Sequence, residues 1–182
     1  WAEGDIAFLL PCRVFSPEER KYLITSQHVQ ETATGHPVII LQLGAKYAMV
    51  TTVSAYTSPG QKDFRAPWNK ARHRHKGGIN FRSFDGTEQF QPRGWQHPPY
   101  PALFLEPNAE TGQENRMPKD RESWVYIQSV FVVPVTVLAW FDKPGKLLRV
   151  QKDSLKSLKD HMATGCHVWQ RCQKELRKME DR

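Results

Sequence analysis

Between Arg65 and Arg82 the chain reads RAPWNKARHRHKGGINFR, with six Lys or Arg, two His, one Trp, one Phe and no Asp or Glu. Such a segment reads as a nucleic-acid grip, a solvated insertion or a catalytic loop. The catalysis its residue types can support is the cleavage of RNA through its own 2′-hydroxyl. That reaction needs a base for the hydroxyl proton, an acid for the leaving 5′-oxygen, and a cation for the charged phosphorus intermediate. His73 and His75, interleaved with Arg72 and Arg74, hold all three kinds of group, because an imidazole titrates near neutrality. His36 is a third imidazole that must reach the others through the fold. The competing reading is a solvated loop whose histidines titrate without consequence, since adjacency in sequence does not establish converging geometry.

For binding, Arg65, Lys70, Arg72, Arg74, Lys76 and Arg82 can follow a phosphate backbone. Trp68, with Phe64, Phe81 or Phe84, can stack on unpaired bases at about 1–3 kcal/mol each. Trp68 reads equally as a core anchor after Pro67. Gly77-Gly78 either admits a phosphate to the backbone or makes a plain turn. Mixed charge would solubilise a loop as well as one sign does, so the missing carboxylates point to a polyanionic partner.

The rest of the chain sharpens that contrast. Its 182 residues carry a net charge of +7, and residues 143–182 hold eleven positive and five negative side chains. Residues 1–64 and 83–142 therefore sum to −5, and the basicity lies in one loop and one tail. Such asymmetry favours a polyanion over a generally basic scaffold. Three cysteines imply no disulfide framework and suggest a reducing intracellular compartment, cytoplasm or nucleus. Cys166 and Cys172, six apart, point about 120° from each other on a helix. Structural zinc wants four converging ligands, so no metal or other cofactor is expected. The sequence has no P-loop, nucleotide-binding glycine fingerprint or nucleophile elbow. No apolar run approaches the ~20 residues that span a bilayer, so no membrane association is expected.

These groups must be positioned by strands. IAFLL (6–10), PVIILQL (37–43), YAMVTTVSAY (47–56), ALFLE (102–106) and WVYIQSVFVVPV (124–135) read as strands, and INFRSF (79–84) as an edge strand. Gly44-Ala45-Lys46 predicts a hairpin between the second and third runs, and Pro134 predicts a strand end. Residues 12–35 read as a long connection and 107–123 as a mobile loop with almost nothing to bury. From Leu155 the apolar spacing becomes helical, capped at Asp153 or Ser154 and divided at Gly165. The expected fold is mainly β, a small curved antiparallel sheet or barrel with a C-terminal helix and long loops. It forms one domain over 1–182: a core at about 4–56 and 101–140, a basic insertion at 57–100, and helices over 152–181.

The order of GDIAFLL (4–10), GHPVIILQL (35–43), YAMVTTVSAY (47–56), WVYIQSVFVVPVTVL (124–138) and SLKSLKDHM (154–162) resembles the PemK/MazF-like family of growth-inhibiting toxins, its fungal branch most closely. The resemblance implies a β-barrel with a C-terminal helix, often a homodimer, that cleaves single-stranded RNA without metal. It also implies a catalytic Arg at the start of the second strand and a Thr or Ser at the end of the third. Ser54, or Thr52, matches the hydroxyl. The Arg does not match, because His36 leads straight into Pro37. The same barrel without cleavage, serving as a regulatory module with an inhibitory or scaffold protein partner, is the alternative.

Overall fold

The computed structural model describes residues 1–56, 66–87, 100–119 and 123–181. It is mainly β, with six strands in one antiparallel sheet: β1 (Ile6–Leu9), β2 (His36–Leu43), β3 (Tyr47–Ser54), β4 (Phe81–Ser83), β5 (Trp124–Pro134) and β6 (Leu138–Trp140). Their spatial order is β4-β5-β3-β2-β1-β6. Two helices follow, α2 (Lys152–Gly165) and α3 (Trp169–Glu180), preceded by one short turn of helix, α1 (Pro17–Arg20).

The central strands are apolar at consecutive positions because both faces of the sheet are covered. Side chains alternate along a strand, so Val38 and Ile40 of β2 face one way with Ala48 and Val50 of β3. They meet Leu23 and Val29 of the 12–35 connection. Ile39, Leu41 and Met49 face the other way, onto Leu155, Leu158 and Met162 of α2 and Trp169, Cys172 and Leu176 of α3. The helical stripe in the sequence is therefore core packing, and all three cysteines are buried thiols.

Register fixes the site. β2 and β3 form the expected hairpin, with Val38 across from Thr52 and Ile40 across from Val50. Two residues further along that register, His36 at the start of β2 comes level with Ser54 at the end of β3. The hairpin turn is held from outside: the Glu180 carboxylate accepts the backbone N–H groups of Ala45, Lys46 and Tyr47 at 2.8–3.0 Å.

The sheet is not closed. Isolated bridges span its gap, pairing Phe84 with Leu103, Leu105 with Val150, and Asp5 with Arg149. ALFLE thus supplies single bridging residues and no strand, whereas β6 and its edge position were not expected. Asp5 is structural: it is buried, its Oδ1 takes Arg149 Nε at 2.6 Å, and its Oδ2 takes the Ala2 N–H at 2.7 Å. The N-cap of α2 is Gln151, with no side-chain cap. Ser154 instead accepts the Phe104 N–H, which ties the helix to the bridging segment. Part of 107–119 is also packed, since Met117 lies in the core.

Candidate functional site

Thr52 and Ser54 lie on the same face of β3 as Ala48 and Val50, but where the covering connection ends. β5 opens at the same level. Its register with β3 jumps from Thr51↔Val130 to Val53↔Val125, so four residues of β5, 126–129, stand against Thr52 alone. A bulge of this kind bends a strand and re-aims its side chains, often beside a functional site. Ser129 and Phe131 from β5 complete the floor of a cleft of about 310 Å³. His36, Thr52 and Ser54 enter it from the hairpin, Gln30 and Thr32 from the connection, and Arg72, His73 and Lys76 from the basic loop.

The basic loop is docked by aromatic packing. Trp68 is only 5% exposed and meets Trp124 edge-on at 5.3 Å and Phe81 at 5.6 Å. Gly78 lies close under that dock, where a Cβ would meet the indole at a tight 3.1–3.3 Å. Gly77, at φ +67°, makes the turn. Tyr56 links this cluster to the cleft. Its ring meets Phe81 at 5.4 Å and His73 at 4.9 Å, both edge-on. It is one of two non-glycine residues with positive φ among the described residues, at +52°. A bulky side chain in that conformation is strained unless its surroundings impose it. Here Ser54 Oγ accepts the Tyr56 N–H at 3.3 Å, and Lys70 Nζ donates to the Tyr56 carbonyl at 3.3 Å.

Burial tunes the ionisable groups. It pushes the His36 imidazole below its ordinary pKa, against a hydrogen bond to the Thr32 backbone that works the other way. His73 is lowered first by burial and then by Lys76, Lys70, His75 and Arg72. Lys76 is lowered by burial, its Nζ lying 4.4 Å from the Tyr126 ring centroid and 5.3 Å from that of Tyr56. Burial keeps Tyr56 a phenol far into alkaline conditions.

Several residues expected at the site stand elsewhere. Arg82 is wholly buried, its guanidinium donating to the carbonyls of Pro101 and Ser157 and to Ser157 Oγ at 2.9–3.2 Å. It meets no solvent and cannot contact a phosphate. Burial lowers its pKa to about 10, so it remains a cation. Trp68 is the loop's anchor and is closed to base stacking. His75 and Arg74 are exposed and lie outside the cleft lining, and Lys70 is committed to the Tyr56 carbonyl. Arg65 and Phe64 lie outside the described residues.

Two more cavities adjoin the cleft. One, of about 290 Å³, shares His36, Ser54 and Tyr56 with it and adds Lys119 and Lys143. The other, of about 410 Å³, shares Lys76 and Ser129 and adds His167 and Arg171. None of the described residues lining the three cavities is Asp or Glu. Glu175 stands behind the last cavity, engaged by His28 at 3.3 Å and the Tyr22 hydroxyl at 3.1 Å. Gln30, Thr32, Ser129, Lys119 and Lys143 carried no signal in the sequence, because only the fold brings them to one surface.

Among the described residues, no group of three or more His, Cys, Asp or Glu is arranged to hold a metal ion. Nor is any helix long and apolar enough to cross a membrane. No protein-family model, curated protein or solved structure matches the chain.

Proposed function

We propose that this chain binds single-stranded RNA and cleaves it through the 2′-hydroxyl with protein groups alone, as a PemK/MazF-like domain with a rearranged site. One observation carries the reading: His36 and Ser54, the two strand-end positions that the resemblance singles out, share a cleft with Arg72, His73 and Lys76 in which no described lining residue is Asp or Glu. The second strand lacks its guanidinium, and Arg72 supplies one from the basic loop. An imidazole of His36 or His73, kept neutral by burial, takes the 2′-hydroxyl proton. Arg72 and Lys76 balance the phosphorus intermediate, and Lys76, whose ammonium burial destabilises, returns a proton to the 5′-oxygen. Thr52 and Ser54 donate hydrogen bonds to the phosphate.

The test is incubation of single-stranded RNA with the protein in EDTA, followed by analysis of the ends. The expected products carry 2′,3′-cyclic phosphate, and Arg72→Ala, His73→Ala or His36→Ala slows their formation by at least about 100-fold, the lower range for general acid–base or electrostatic groups. Undiminished cleavage by all three variants removes the mechanism. Binding without any cleavage in the unaltered protein leaves an RNA-binding module and no nuclease.

A further inference from the structure

The cavity that adjoins the cleft across His36, Ser54 and Tyr56 has a different character from the cleft itself. Phe8 is a half-buried wall, and Val53, Met117 and Phe141 behind it are only 3–6% exposed. The Phe8 and Phe141 rings lie parallel, 7° apart in tilt, with centroids at 6.4 Å. Lys119 and Lys143 line it as well, and none of its described lining residues is Asp or Glu. Its apolar walls belong to the helix-covered side of the sheet, whereas the cleft opens on the side of the 12–35 connection. The two meet only at the rim, where β2 begins and β3 ends.

We infer that this apolar cavity is a nucleobase subsite, holding the unpaired base next to the phosphate that rests on His36 and Ser54. The inference rests on the RNA-binding reading above and adds where a base goes and why base identity matters. A chain crossing the rim alternates charged phosphates with flat, largely apolar bases. The surface alternates in the same way: cations and hydroxyls in the cleft, a shared ridge, then apolar walls with two lysines. Burying a base face against such walls is sequence-tolerant, whereas the width and depth of a half-open cavity of about 290 Å³ limit which base fits it. An apolar side chain of a protein partner would fill the walls but bring no counter-charge to Lys119 and Lys143, or to Arg72 and Lys76 in the cleft.

Fluorescent RNA pentamers of each homopolymer, and a pentamer with one abasic position moved along the chain, test the subsite by anisotropy at low salt. At one register the abasic position weakens binding by about 5- to 150-fold, the range for losing one stacked base. Ala55→Trp, which fills this cavity from a residue that does not line the cleft, reduces that difference to less than about twofold and leaves the salt dependence unchanged. Photocrosslinking of 4-thiouridine pentamers to the unaltered protein is the second measurement, expected to label peptides containing Met117 or Phe141. RNA bound with steep salt dependence but indifferent to every abasic position, or crosslinked only elsewhere, overturns the subsite and leaves the RNA reading standing. No binding of any pentamer at low salt overturns both.

Discussion

Salt dependence gives the most direct test of the proposed RNA contact. Five Lys or Arg side chains line the three joined cavities: Arg72, Lys76, Lys119, Lys143 and Arg171. Each phosphate neutralised on a single strand contributes about −0.7 to the slope of log affinity against log salt, so five contacts give about −3.5. Raising salt from about 50 to 200 mM should then weaken binding by roughly 100-fold. Arg72→Ala should bring the slope to about −2.8, and Arg72→Ala with Lys76→Ala to about −2.1. Arg74→Ala, which removes an equal charge from an exposed position outside the cavities, should leave it unchanged. The assay is anisotropy of a labelled single-stranded RNA titrated at four or more salt concentrations. A slope shallower than about −1, or one that Arg74→Ala lowers as much as Arg72→Ala does, refutes the placement of phosphates in this groove.

Two pH effects follow from the buried imidazoles. His36 and His73 are held below the ordinary histidine value of 6.5, so the acid limb of cleavage should have its midpoint below that value. RNA affinity should rise over the same interval, because a phosphate favours the protonated ring; a limb that persists in His36→Ala with His73→Ala contradicts the assignment. His161, 3% exposed and stacked on Tyr100 at 3.6 Å, titrates at about 4 in the fold against 6.5 ordinarily, through burial and the neighbouring Arg82. Above 6.5 the ring is neutral folded or unfolded. Below it the unfolded chain takes up a proton that the folded chain refuses, so stability falls by about 2 kcal/mol at pH 5 and about 3 kcal/mol at pH 4. Urea unfolding at pH 7 and pH 5 should show a loss about 2 kcal/mol larger in the unaltered protein than in His161→Phe; equal losses in both refute it.

The parts of the fold legible in the sequence are those that local pattern controls. The β2–β3 hairpin follows from two β-rich runs across Gly44-Ala45-Lys46, and the edge position of β4 from its short polar-flanked run. The division between α2 and α3 at Gly165 follows from the spacing of Leu155, Leu158, Met162 and Trp169. ALFLE carried a strand's composition but found only single bridging partners, because extended pairing depends on neighbours far away in sequence. For the site, the types were legible and the directions were not. A run of cations looks uniform in sequence, yet Arg72 and Lys76 turn into the cleft, Arg74 turns to solvent, and Arg82 is drawn inside by two carbonyls. Trp68 had two readings of equal merit, and only the presence of Trp124 and Phe81 on facing strands selects the anchor. The β5 bulge and the left-handed Tyr56 left no mark in residue type, since each is imposed by surroundings.

The contact between Glu180 and the β2–β3 turn joins residues some 135 positions apart. Chains leave the ribosome at about 5–20 residues per second, so the turn amides wait on the order of 7–27 s for their acceptor. The strands that bear Thr52, Ser54 and His36 are thus made early and fastened late. A nascent chain of this protein carries its candidate site residues well before Glu180 can clasp the hairpin that bears them.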